Sequence, residues 1–231
     1  MSMTDPKGSR RGLYRLLAWL SPGFPIGSFA FSHGLETAAA SGAVRDRESL
    51  QLWISAIVAS GAGCVDADIL RDAYRASSAG DTRALIDANR RGFAFRATAE
   101  TRLETTAQGE AFLATCRAAW PDPGLNSWGE GEAVCYPAAV GTATAQAGIA
   151  LDCALLGYLQ ALASNLVSAG LRLGIIGQTD GQRILAALEP VIAAAVRGAL
   201  ARDPDAFGTA TFAVELASMS HETQYTRLFR S

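Results

Sequence analysis

The sequence predicts an all-α fold, a single-domain helical bundle of roughly ten helices, and three observations carry that expectation. Alanine is abundant and apolar residues recur at helical spacing along most of the chain. Stretches in which β-branched residues alternate with polar ones, the mark of a half-buried strand, are rare. At 231 residues the chain can bury one good core, and it contains no internal repeat, low-complexity block or linker long enough to separate two domains.

The elements follow in order. Residues 1–10 are expected to be a disordered segment, so the domain proper runs over 11–231, beginning with a short helix from Leu13 to Leu20. Ser21 to Gly27 must be a loop, because two prolines and two glycines in seven residues cannot continue a helix. Helix resumes from Phe31 to Ala40. Asp46 can cap a third helix whose apolar face carries Leu50, Trp53, Ile54, Ile57 and Val58. After Gly61 and Gly63, Asp66 to Ala76 continues helically, and Asp81 can cap Thr82 to Arg90. One long helix is expected from Phe93 to Trp120, stopped by Pro121-Asp122-Pro123-Gly124, with a turn from Asn126 to Gly131. Further helices span Tyr136 to Gly148 and Leu151 to Leu173, the latter with Leu155, Leu159, Leu162 and Leu166 along one face. Thr179-Asp180-Gly181-Gln182 has the form of a capping box, Pro190 should divide or kink Ile184 to Ala201, and Asp203-Pro204 fits an N-cap opening the last helix.

Composition narrows the function. With 49% apolar and only 18% charged residues, some apolar surface is expected to end against another subunit or partner. A net charge of −2 supplies no basic field for nucleic acid or anionic lipid. Cys64, Cys116, Cys135 and Cys153 contain no C-x-x-C and read as buried thiols of a reducing compartment. Arg10-Arg11 mimics a twin-arginine signal, but the apolar run behind it is short and broken by Arg15. Cys153 to Leu171 lacks charge but holds Gln160, Ser164, Asn165 and Ser168, which suits a buried core helix better than a membrane span.

Little chemistry is visible. His33 and His221 stand 188 residues apart, so any histidine site must be assembled by folding. His33 and Glu36 could share a helix face, but one histidine and one carboxylate do not close a metal site. There is no G-x-x-x-x-G-K-[ST] and no G-x-S-x-G. A small helical cofactor-free enzyme using Ser32, His33 and Glu36 is the rival reading. Glu100, Glu104, Glu110, Asp152 and Glu215, near Arg96 and Arg102, are expected on solvated helix faces.

Two segments resist that plain reading. Phe24-Pro25-Ile26-Gly27-Ser28-Phe29 places apolar and aromatic residues in a loop, either packed on the core or offered to a partner. The C-terminal tail, about residues 218–231, ends in Tyr225, Arg227, Leu228, Phe229 and Arg230, types enriched in binding hot spots. It either orders on binding or docks on its own core.

These segments also carry a resemblance. Ser21-Pro22-Gly23-Phe24-Pro25-Ile26-Gly27-Ser28-Phe29 with Ser32-His33-Gly34-Leu35-Glu36, the stretch Leu173-Gly174 through Gln182, and the ending Ser218 to Ser231 together resemble the urease accessory protein UreF family. The resemblance implies an all-α, non-catalytic, cytoplasmic homodimer that bridges the scaffold UreD (or UreH) to the GTPase UreG and regulates GTP-dependent nickel insertion into apo-urease. Nickel and GTP would be handled by those partners, so no cofactor is expected on this chain, nor contact with nucleic acid or membrane. Candidate partner-binding residues are then Phe24, Pro25, Ile26, Gly27, Ser28 and Phe29, lining a GTPase-facing cleft, with His33 and Glu36 just after them. The tail adds His221, Glu222, Tyr225, Arg227, Leu228, Phe229 and Arg230, and Arg227 matches the family arginine that fixes the tail once the scaffold is bound. Phe29 stands where a tyrosine is common and Ser220 where an arginine is common, so contacts made by that hydroxyl and that charge are missing here.

Overall fold

The computed structural model describes residues 6–129, 131–204 and 206–231, with side chains from Arg10 onward, and among these no strand forms. The chain is all-α: α1 (Pro6–Trp19), α2 (Leu35–Ala40), α3 (Arg47–Ser60), α4 (Ala62–Ala79), α5 (Thr82–Ala94), α6 (Ala99–Ala119), α7 (Tyr136–Gln146), α8 (Leu151–Arg172), α9 (Gln178–Ala201) and α10 (Phe212–His221). Short 3-10 turns lie at Ser28–Ala30 and Pro123–Ser127.

The hub is α4, which packs against α3, α5, α7, α8 and α9. It comes so close to α7 because of Gly141, where an added Cβ would sit 2.5 Å from the Leu70 carbonyl oxygen. Ile69, Leu70, Phe112, Leu155, Leu159 and Leu166 are fully buried around it. The hub also carries charge: Arg71, wholly buried, donates to Asp68 and Asp72 and to the carbonyls of Ala199 and Arg202, fastening the end of α9 to α4. Arg202 closes the same cluster on Asp68 at 2.6 Å. Three runs, Arg47–Ala79, Leu151–Arg172 and Gln178–Ala201, are long and apolar enough to cross a bilayer by length and composition. The first carries this ion cluster, whose partners come from α9 and the segment after it.

Local signals placed several boundaries. The Asp46 carboxylate accepts from the Ser49 N–H while the Ser49 hydroxyl accepts from the Asp46 N–H, and Asp81 accepts from the Ala84 N–H. Elsewhere the structure departs from the expectation. Helix α1 begins at Pro6, where a missing N–H costs nothing, so Pro6 to Arg10 are helical rather than disordered, while residues 1–5 lie outside the described residues. The segment expected to be helical from Phe31 begins only at Leu35, because His33 and Gly34 have positive φ. The expected helix over Phe93 to Trp120 is broken at Phe95, and α6 restarts from a box made by Thr98 and Thr101. Thr179 caps nothing: α9 starts at Gln178 behind Gly177. Pro190 does not divide α9, since it lies on the exposed face, where water can serve the carbonyl left without its donor. Asp203-Pro204 opens no helix. The chain instead crosses the α3–α4 junction, where the Ala210 N–H donates to Ser60 O at 2.7 Å, and α10 follows Thr211. Of the cysteines, Cys153 is exposed on the first turn of α8 and the other three are buried.

Candidate functional site

The loop after α1 turns through Gly27 at φ 74, where no atom lies within 4 Å of a would-be Cβ, so the handedness of the turn rather than crowding selects glycine. Phe24 is buried, its ring centroid 5.4 Å from Phe112 and 6.1 Å from Trp120. Phe29, at the other end, is 67% exposed. The two readings of this loop therefore hold for different residues, core packing for Phe24 and display for Phe29.

The tail docks on its own chain. Its pivot is Glu36, buried on α2, whose carboxylate accepts from the N–H groups of Leu228 at 2.7 Å and Phe229 at 2.9 Å. His221, wholly buried at the end of α10, sits between two carboxylates, Nε2 3.1 Å from Glu36 and Nδ1 2.7 Å from Glu100. Arg227 donates to the other oxygen of Glu100 at 2.7 Å. Glu222 accepts from the Ala99 N–H at 2.7 Å, serving the first turn of α6. Beyond this knot the backbone pairs with the chain before α2: Arg230 N–H donates to Ala30 O at 2.7 Å and Ser32 N–H to Ser231 O at 2.8 Å, and the Ser32 hydroxyl donates to that same oxygen. Phe229 is buried beneath the Arg172 guanidinium, 4.4 Å from the ring centroid, and Arg172 also donates to the Phe29 carbonyl. Tail and loop are thus tied through one arginine.

The electrostatics follow from these contacts. Burial alone would raise the Glu36 pKa, but the two tail N–H groups and His221 outweigh it and hold it below the usual 4.5. Burial alone would lower the His33 pKa, yet the Glu104 carboxylate, 3.1 Å from Nε2, and Asp66 beyond it bring the balance above 6.5. Burial pushes the Cys116 and Cys135 thiols up to about 12, so they are poor nucleophiles.

Beneath the loop lies a cavity of about 420 Å³. The loop, including Phe24, Ile26 and Phe29, forms one wall, and buried polar side chains form another. There Arg96 donates to Asp66 at 2.5 Å, Tyr158 to Asp66 at 2.8 Å, and Gln108 to Glu104 at 2.9 Å. The expectation of solvated carboxylates holds for Glu110 and Asp152, which are exposed, and fails for Glu104, which is buried, with the side chains of Arg96 and Asp66 each only 6% exposed beside it. No signal in the sequence separates them from surface charges, because Arg96 and Tyr158 reach Asp66, and His33 reaches Glu104, only across long stretches of chain.

Of the candidate residues, Pro25, Phe29, Glu222, Tyr225, Arg227, Leu228 and Arg230 are exposed, and Ile26, Gly27 and Ser28 half-buried. Phe24, His33, Glu36, His221 and Phe229 are buried and hold the others in place. Sequence reasoning missed Phe212, Leu216 and Met219, an exposed apolar stripe on α10 whose i, i+4, i+7 spacing was there to be read. Ser32, His33 and Glu36 are committed to separate partners, the tail oxygen, Glu104 and the His221 knot, so the constellation of the enzyme rival is not assembled. Among the described residues no group of three or more His, Cys, Asp or Glu side chains is arranged to hold a metal ion.

Comparison with known proteins agrees across nearly the whole chain. The family model described as UreF matches residues 44–189. A protein named urease accessory protein UreF from a Bradyrhizobium species (strain BTAi1) is 49% identical over 220 residues, 95% of this chain and 92% of its own. Its namesake from Rhodopseudomonas palustris (strain BisB5) is 49% identical over 221 residues, 95% of this chain and 91% of its own. That of Azorhizobium caulinodans is 48% identical over 233 residues, spanning both chains entirely.

Proposed function

Since the chain belongs to the UreF family of urease accessory proteins, we propose that it is a non-catalytic, cytoplasmic homodimer that bridges the scaffold UreD (or UreH) to the GTPase UreG and regulates GTP-dependent insertion of nickel into apo-urease. The partners supply the nucleotide and carry the metal, and this chain supplies a shaped surface. The observation that supports this reading is the docked tail: buried Glu36, His221 and Phe229 hold the backbone while Tyr225, Leu228 and Phe29 stand exposed beside it. Apolar and aromatic side chains held rigid from behind are what an interface uses as anchors, because little side-chain entropy remains to be lost.

The mechanism is linkage. Scaffold binding stabilises the docked tail, the docked tail fixes the Phe24 to Phe29 loop through Arg172, and that loop meets the GTPase, so each partner raises affinity for the other. The test uses Tyr225→Asp and Leu228→Asp, exposed changes that leave the knot intact. Both should weaken scaffold binding and lower nickel-dependent urease activation while helical content stays unchanged. Full activation by both variants would refute the reading.

A further inference from the structure

We propose that His33 is a gate that ties docking of the C-terminal tail to access to the buried carboxylate of Glu104. The idea goes beyond the bridging role and needs no partner protein. Among the described residues His33 is the one non-glycine at positive φ, at 52°, and Gly34 follows at 72°. A side chain in that left-handed region persists only where its surroundings hold it there.

Three restraints do so. Upstream, Ser32 is tied by its N–H and its hydroxyl to the Ser231 oxygen of the docked tail. Downstream, Gly34 is pressed against α10, where an added Cβ would lie 2.7 Å from the Ser218 nitrogen. In between, the His33 ring meets Glu104 at 3.1 Å. The first restraint belongs to the tail and the third closes the polar wall of the cavity, which His33 and Glu104 both line. The two are one residue apart.

When residues 228–231 leave, Ser32 loses both bonds to the tail. The His33 backbone relaxes toward negative φ, and the ring swings off Glu104. Glu104 Oε1, still accepting from Gln108, then loses its imidazole cap and opens to the cavity. With the tail docked, the same oxygen is capped by the His33 ring. Tail docking thereby controls the polarity of the cavity.

The chain has two histidines, so each imidazole can be followed separately by NMR. The groups that face His33 are Glu104, Asp66 and Arg96, all from the body of the bundle and none from the tail. In a chain shortened after Arg227, His33 should lose its upward displacement and titrate at or below 6.5, as it should in Glu104→Gln, with helical content intact. Phe229→Ala, which keeps the whole chain and empties the pocket under Arg172, should do the same once amide exchange shows the tail released. A released tail with unchanged His33 titration in either variant would overturn the gate, whatever the outcome of the partner-binding tests.

Discussion

Replacing Glu36 with glutamine removes the charge from the pivot of the tail while keeping its shape. Three donors converge on the carboxylate: Leu228 N–H on one oxygen, Phe229 N–H and His221 Nε2 on the other. A glutamine oxygen in the second position still accepts from Phe229 and His221, but its NH₂ then faces the Leu228 N–H, donor against donor. One charge-assisted hydrogen bond, about 1.5–3 kcal/mol, is lost and the others weaken, giving a local cost of about 3 kcal/mol. At 1.4 kcal/mol per decade this is roughly a hundredfold in the opening equilibrium of the tail. Hydrogen exchange of the Leu228 and Phe229 amides reads that number directly, because both donate to Glu36 and tail opening exposes both. Unchanged protection of these two amides in Glu36→Gln would refute the claim that this carboxylate holds the tail.

Other consequences can be checked by denaturation of the isolated chain. Gly34→Ala forces a Cβ into left-handed backbone and against α10, so it should cost about 2–4 kcal/mol of global stability. Arg96→Ala leaves Asp66 buried with Tyr158 as its remaining hydrogen-bond donor, and the denaturation midpoint should fall by the equivalent of about 3–5 kcal/mol. His33 has a raised folded pKa, so the stability it contributes is fully present below 6.5 and is lost as pH rises through the folded value; Glu104→Gln should flatten that slope of the urea midpoint against pH. Glu36 has a depressed folded pKa, so its contribution is present above 4.5 and disappears as pH falls through the folded value, loosening the tail amides first.

How much of this was legible depended on distance along the chain. The caps at Asp46 and Asp81 were readable because donor and acceptor lie three residues apart, as did the helical periodicity around Leu155, Leu159 and Leu166. The Thr98 box escaped because it is closed by threonine in place of the usual Glu or Gln, and the apolar run from Phe93 onward masked the break. Thr179 has the right letters but lies inside the first turn of α9, so motif alone misplaced the N-cap, which is Gly177, by two residues. The site was legible as two segments and not as a site. Glu36 and His221 are 185 residues apart, and Glu100, which completes the knot, looks in sequence like any surface carboxylate on a helix. Burial of Glu104 and of the Arg96 side chain is likewise a product of packing, visible only when α6 and the turn after α5 close on α4.

The central claim is that the docked tail is the surface through which partners are joined. Size-exclusion chromatography with light scattering, on the cognate scaffold and GTPase mixed with either the full chain or a chain shortened after Arg227, tests it most directly. A complex of all three proteins that forms with the full chain and is lost on shortening is the predicted result. An equally stable complex from both chains, or none from the folded full chain, would contradict it.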